Sequence, residues 1–311
     1  MNDNMKQAIN FLKSGNVVAF PTETVYGLGA SASNEEACQK IFRIKGRPNI
    51  NPLIVHVASI SEAESIGEFN EDAKKLASSF WPGPLSIVVP LKRSANIAAS
   101  VLAGLNTVAL RIPAHNIALE LIRESGLPIA APSANPSGYI SATAFQHVQE
   151  HFVNTKDVFI LQDMSNSKYG IESTIVDCSS SDITLLRSGF ITKESLEMVI
   201  NKKINLMPSL MQIKAPGMME KHYAPKTKVR LNASSLRPNE IGLNFANSKL
   251  LGNFSLNLSE AGDLLEAASN LYSALRTLDN YADKTGIAVA AIPSIGIGAA
   301  INDRLTRAAK E

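Results

Sequence analysis

A chain of 311 residues, 45% of them hydrophobic and 19% charged, has enough apolar material for one large domain or two unequal ones and is neither disordered nor fibrous. A formal net charge of +2 is too small to announce a surface that coats nucleic acid, so any basic function must be local. Cys38 and Cys178 are too few for a disulfide scaffold and lack zinc-site spacing, so they read as packing residues in a reducing compartment.

The start, MNDNMKQ, has no basic n-region or apolar core. Ala8, Ile9 and Leu12 recur at helical spacing up to Gly15, and VVAF follows as a short buried strand. The polar elbow PTETVYGLG comes next. Asn34 caps a helix in which Ala37, Ile41 and Lys45 share a face and which Gly46 ends. PLIVHV is a strand containing His56, Asn70 caps a further helix closed by WPGP, and LSIVVPL and TVALRIP are strands. IALELIRES is a helix ended by Gly126, and PIAA a strand that runs into the loop PSANPSG. Ser141 is expected to cap the next helix. VFILQD, STIVDC and ITLLR then read as strands, and Thr192 caps the helix after them.

This alternation predicts an α/β fold, a mixed twisted open sheet with flanking helices, over residues 1–200. Residues 201–226 read as a linker: between Lys202 and Arg230 stand seven Lys or Arg against one acid, Glu220. KVRLN, IGLNF, a helix near Leu264 to Leu278, IAVAAIP and a final helix from about Ala299 make a smaller α/β unit over 227–311. The most apolar stretch, 286–301, holds Pro293 and three glycines and is shorter than the roughly 20 residues of a membrane span, so a soluble, cytoplasmic protein with no membrane partner is expected.

Lys45-Gly46-Arg47 fixes two cations on a turn that Pro48 keeps from continuing as helix, which suits a polyphosphate, although charged residues at a helix C-terminus are also favoured by the dipole alone. Ser133 and Asn135 emerge from the end of a strand, where α/β proteins commonly bind ligands. Arg111 sits in an apolar run and needs an anion: Glu23, Glu172 or a substrate carboxylate. GIEST and PTET each set an acid among hydroxyls, and Arg187 leaves a strand into a glycine turn. GIGAAI at 296–301 lacks the third glycine of a dinucleotide fingerprint and reads as a tight turn. No HExxH, CxxC, GxSxG or P-loop pattern occurs.

PTETVYGLG, the helix ending in KGRP, NPLIVHV, WPGPL, TVALRIPAH, PIAAPSAN, GIESTIVD, LLRSG and APGMMEKHYAP stand in an order that resembles the long, two-domain form of the YrdC-type threonylcarbamoyl-AMP synthases over nearly the whole chain. The resemblance implies a YrdC-like catalytic domain, a linker and a small Rossmann-like domain. It implies a nucleotidyltransferase that condenses L-threonine, bicarbonate and ATP into threonylcarbamoyl-AMP and pyrophosphate, for a separate complex that modifies tRNA, with at most a weak tRNA contact of its own. A catalytic tetrad then falls on Lys45, Arg47, Ser133 and Asn135. L-Threonine contacts fall on Thr24, His56, Arg111, Ala131 and Ser173, and ATP contacts on Arg47, Asn51, Thr107, Ser133, Ser141 and Arg187. Tyr223 and nearby backbone are expected in a lid made by the linker. Mg²⁺ would be carried mainly by phosphate oxygens, with no protein metal site. The chain departs from the family at Glu220, where an aromatic residue is usual. The alternatives are an RNA-binding module without catalysis and a carbamoyl-adenylate-forming maturation enzyme.

Overall fold

The computed structural model describes residues 2–207, 222–281 and 284–310, so Glu220 and most of the expected lid lie outside the described residues. Helix α1 (Asp3–Lys13) leads into β1 (Val17–Phe20), β2 (Gly27–Ser31), α2 (Glu35–Lys45) and β3 (Ile54–His56). Then come α3 (Ile60–Ile66), α4 (Glu71–Phe80), β4 (Leu85–Pro90), α5 (Ala99–Leu102), β5 (Thr107–Arg111), α6 (Asn116–Ser125) and β6 (Ile129–Ala131). They are followed by α7 (Phe145–Phe152), β7 (Val158–Ile160), the antiparallel pair β8 (Thr174–Asp177) and β9 (Thr184–Arg187), α8 (Lys193–Ile200) and β10 (Asn205–Leu206). The second unit holds β11 (Val229–Arg230), β12 (Glu240–Asn244), β13 (Ser255–Asn257), α9 (Leu264–Asp279), β14 (Gly286–Val289) and α10 (Gly298–Ala308).

The helix boundaries follow local chemistry. Asn34, Asn70 and Thr192 each accept a hydrogen bond from a first-turn backbone N–H, worth about 1 kcal/mol per cap. Gly46 and Gly126 close α2 and α6 in the left-handed conformation. Ser141 does not cap α7: that helix starts only at Phe145 behind Ala144, and the Ser141 hydroxyl is used elsewhere.

The first ten strands form one mixed sheet in the order β10-β9-β8-β4-β5-β3-β6-β2-β1-β7. VFILQD, STIVDC and ITLLR thus part company: β7 lies at the β1 edge and β8 and β9 toward the other. The edge strand β10 falls inside the stretch read as linker. Strand β2, unforeseen in the elbow, returns antiparallel to β1 with Phe20 opposite Gly27. Its glycines hide it from a propensity reading but are needed there, because a Cβ on Gly29 would stand 2.5 Å from Ile129 Cγ2 and 2.7 Å from Phe20 Cε1. Helices α3 and α5 and strand β13 are likewise short elements that periodicity did not reveal.

One face of the large sheet, carrying Val55, Leu110, Val89 and Val176, packs with Ile41 of α2, Leu76 of α4 and Leu196 of α8 into the main core. The other face is covered at one side by α1 and α6, through Leu12, Leu121, Phe20 and Ile129, and carries a small cluster of Ile54, Val88, Ala109, Ile175 and Leu186 at the other. The second unit is a four-stranded parallel sheet, β11-β14-β12-β13, with α9 and α10. Its core continues into the first unit through Val25, Ile140 and Ile171. The turn into α10 is tight, since a Cβ on Gly298 would meet the Pro293 carbonyl oxygen at 2.0 Å. Both cysteines are buried, and burial pushes their thiols up to about 12, which leaves them inert packing groups.

Candidate active site

Alternation along parallel β3 and β5, in which His56 pairs with Arg111 and Ile54 with Ala109, puts His56 and Arg111 on the sheet face away from the main core. On that face lies a cavity lined by His56, Arg111 and Ile54. The elbow, the Ser133 loop, the Glu172–Ser173 segment, Arg187 and the His222–Tyr223 pair complete its wall.

At one end of the cavity, Arg111 and Glu23 form an ion pair at 2.6 Å, each side chain 4% exposed. Of the three anions the sequence allowed, Glu23 is the partner, and Arg111 Nε also donates to the Gly83 carbonyl at 3.2 Å. Thr22, not singled out in the sequence, organises the elbow. Its hydroxyl donates to the Val25 carbonyl at 2.6 Å and accepts from the Thr24 and Val25 N–H groups. In the 2.8 Å contact between the two hydroxyls Thr24 is therefore the donor, which leaves the Thr24 oxygen as an acceptor toward the cavity. Burial, and then the Arg111 charge, push His56 down to about 3, so its ring is neutral. Because Nδ1 faces the Ile129 carbonyl at 3.3 Å it carries the proton, and Nε2 is an acceptor. Ser173 Oγ lies 2.8 Å from Ser86 Oγ and accepts from Arg187 Nη2 at 3.0 Å. Ala131 is buried in β6, beside but not on the wall.

The other end is cationic. The left-handed Gly46 lets the chain reverse, so that Lys45 and Arg47 both point inward and both are buried. Lys45 Nζ donates to the carbonyls of Ser133, at 2.6 Å, and Asn135. Arg47 donates from Nε to Asn51 O at 3.2 Å and from Nη2 to Pro52 O at 3.0 Å. Arg187 donates from Nε to the Ser173 carbonyl at 3.0 Å. Burial first, then the neighbouring Arg47 charge, pulls Lys45 well below the ordinary lysine range, and burial lowers Arg47 to about 9. Lys45 and Arg47 thus donate to backbone carbonyls, and buried cations held in this way suit an anionic ligand.

The unpartnered polar atoms say the same. Among the described residues, nine buried side-chain N or O atoms lack a hydrogen-bond partner, and six of them, Glu23 Oε2, both polar atoms of Asn51, Asn135 Oδ1, His222 Nδ1 and Tyr223 OH, gather around this cavity. Buried polar groups are nearly always satisfied, so this concentration marks the surface that a polar ligand completes. Thr107 stands on the same face as Arg111 but at the far end of β5, about 13 Å along the strand.

Glu172 is the residue whose role the sequence least disclosed. Its Oε1 accepts from Ser141 Oγ at 2.5 Å, and its Oε2 accepts from Tyr272 OH and Arg304 Nε, both at 2.9 Å. Burial opposes its ionisation, but the charges of Arg304 and Arg187 and the Ser141 hydrogen bond outweigh it and hold the carboxyl at about 2. The available signal was Arg304 itself, an arginine on the buried face of α10 with Ile301, Leu305 and Ala308. No group of three or more His, Cys, Asp or Glu among the described residues could hold a metal ion, and the carboxylates near the cavity are engaged by arginines. No helix among the described residues is long and apolar enough to cross a membrane.

Residues 10–189 match the protein-family model described as "Telomere recombination", and residues 191–310 that described as "Threonylcarbamoyl-AMP synthase, C-terminal domain". The chain is 41% identical to the threonylcarbamoyl-AMP synthase of Pyrococcus abyssi, over 97% of this chain and 92% of that one. It is also 41% identical to the enzyme of that name from Bacillus subtilis, over the same shares. The crystal structure of P. abyssi Sua5 complexed with L-threonine superposes with a TM-score of 0.90 at 37% identity, covering 98% of this chain and 94% of that one.

Proposed function

The chain belongs to the threonylcarbamoyl-AMP synthase family, and we propose that its cavity condenses L-threonine, bicarbonate and ATP into threonylcarbamoyl-AMP and pyrophosphate. The observation that carries this reading is the separation of the cavity into two ends of different chemistry on one sheet face. Arg111, held by Glu23, can take a single carboxylate, whereas Lys45, Arg47 and Arg187 match a polyphosphate.

In this arrangement the threonine carboxylate pairs with Arg111. The Thr24 oxygen and His56 Nε2, both acceptors, receive the threonine hydroxyl and amine protons, and Ser173 bounds the amino acid, with Ala131 behind the wall. The amine and bicarbonate join with loss of water to give a carbamate. A carbamate oxygen then attacks the α-phosphorus, the bond from that phosphorus to the bridging β-phosphate oxygen breaks, and pyrophosphate leaves. Lys45, Arg47 and Arg187 stabilise the charge that grows on the phosphates, with Ser133 and Asn135 fixing Lys45 through their carbonyls. Asn51 and Tyr223 offer unpartnered polar atoms to the nucleotide, whereas Ser141 donates its hydroxyl to Glu172 and Thr107 lies at the far end of β5. Mg²⁺ would be carried mainly by the phosphate oxygens of the nucleotide. The product would pass to the complex that modifies tRNA.

The test is pyrophosphate release by the purified chain with Mg-ATP. Release should require both threonine and bicarbonate. A folded protein that releases none, or releases it without threonine, would refute the assignment.

A further inference from the structure

Glu172 is the only carboxylate among the described residues that line the cavity, and it stands on the wall with Arg47 and Arg187. Left to itself it would turn an anionic group toward the region where the phosphates belong. Two of its three hydrogen-bond donors come from the second unit: Tyr272 from α9 and Arg304 from α10. Arg304 is 1% exposed and reaches across to the first unit, donating from Nη2 to the Ser188 carbonyl at 2.9 Å as well as from Nε to Glu172. Asp303 takes its Nη1 at 2.6 Å. The guanidinium lies 5.1 Å from the centroid of the Tyr223 ring, and that ring stacks on Tyr272 at 5.8 Å.

A buried arginine of this kind is a poor choice for cohesion alone, because well-packed apolar side chains often stabilise as much without the desolvation cost. Its geometry serves a different end. With Arg304 in place, Glu172 is matched from behind, and Arg187 remains on Ser173 through both Nε and Nη2.

We propose that Arg304 is a positioning residue for the nucleotide. Supplied by the smaller unit, it neutralises Glu172 and backs the Tyr223 ring, so that Lys45, Arg47 and Arg187 face the triphosphate without an opposing charge. The inference takes its ligand, ATP, from the function proposed above.

The experiment measures Mg-ATP binding to the full chain by calorimetry, together with the separate KM values for ATP and threonine. R304Q should weaken ATP binding by about tenfold or more while the threonine KM stays within about twofold, because the unmatched Glu172 charge acts at the phosphate end. R304K keeps the charge but cannot reproduce the three-way contact to Glu172, Asp303 and Ser188, so it should recover only part of the ATP affinity that R304Q loses. E172Q added to R304Q should restore ATP binding to within about threefold, a coupling that a double-mutant cycle reads directly. If R304Q does not fold, the doubly substituted chain and R304K carry the test. A folded E172Q/R304Q chain that binds ATP about tenfold more weakly than the parent overturns the proposal. So does an R304Q chain in which both substrates weaken together and E172Q brings no recovery. Absence of threonine-dependent pyrophosphate release from the parent chain would instead refute the proposed reaction, while calorimetry still reads the role of Arg304.

Discussion

Glu23 Oε1 meets Arg111 Nη2 at 2.6 Å in a pocket where each side chain is 4% exposed, and the second oxygen of Glu23 has no partner. The pair aims the guanidinium rather than consuming it, since Arg111 and not Glu23 stands on the cavity wall. Replacing Glu23 by Gln keeps the shape but removes the charge that holds Arg111. The threonine KM should rise by about tenfold or more with the ATP KM little changed, because an arginine–carboxylate contact of this kind contributes about 1.5–3 kcal/mol. Steady-state kinetics with each substrate varied in turn checks this. Equal rises in both KM values would mean that the pair supports the fold and not the amino-acid end.

Lys45 is pulled well below the ordinary lysine range by burial and by Arg47, yet its protonated form is the one that attracts a triphosphate. ATP affinity should therefore fall as pH rises through the depressed titration of Lys45, and over that range binding should be accompanied by proton uptake. Calorimetry in buffers of differing ionisation enthalpy measures the uptake. Lys45→Met should abolish it together with most of the ATP affinity. A proton count independent of this substitution would place the titrating group elsewhere.

His56 and His222 are each held down to about 3 by burial, and His147 and His151 to about 4. An unfolded imidazole titrates near about 6.5. Below that pH the unfolded chain binds protons that the folded chain refuses, so stability is complete above about 6.5 and falls as the pH drops toward the folded values. Each of the fully buried pair, His56 and His222, contributes up to about 1.4 kcal/mol per pH unit within that window, and the half-buried His147 and His151 contribute less. Urea unfolding midpoints from about pH 7 to about pH 5 should decline steadily, and His222→Gln should flatten the slope. A level profile over that range would contradict the burial of these rings.

Gly29→Ala places a methyl group against Ile129 and Phe20 within a tightly packed ladder. The substitution should destabilise the chain by about 1–3 kcal/mol through overpacking. Chemical denaturation reads the loss. Unchanged stability would mean that β1, β2 and β6 can separate without penalty.

Most of the long elements were legible because their signals are local. Asn34 and Gly46 bracket α2, and the apolar period of Leu264 to Leu278 gives α9. What escaped depends on partners distant in the chain. Strand β2 is written in glycines, which disfavour a strand by propensity and are required here only because Phe20 and Ile129 crowd them. Ser141 reads as a helix cap until Glu172, 31 residues away, claims its hydroxyl. Lys45, Arg47, Arg187 and the Glu23–Arg111 pair were nameable as residues, but the contact between Glu172 and Arg304, 132 residues apart, was not. Periodicity carries no information about contacts at such separations.

The two-residue alternation of β3 joins recognition and folding in one backbone register. His56 and Ile54 belong to the cavity face and Val55 to the core because of a single parity shared with Arg111 on β5. Loss of one residue from this three-residue strand would exchange the two faces, driving an imidazole into hydrocarbon and a valine into the pocket. Inheritance in β3 and β5 is therefore confined to point substitutions, because an insertion or deletion there would turn the cavity residues to the core.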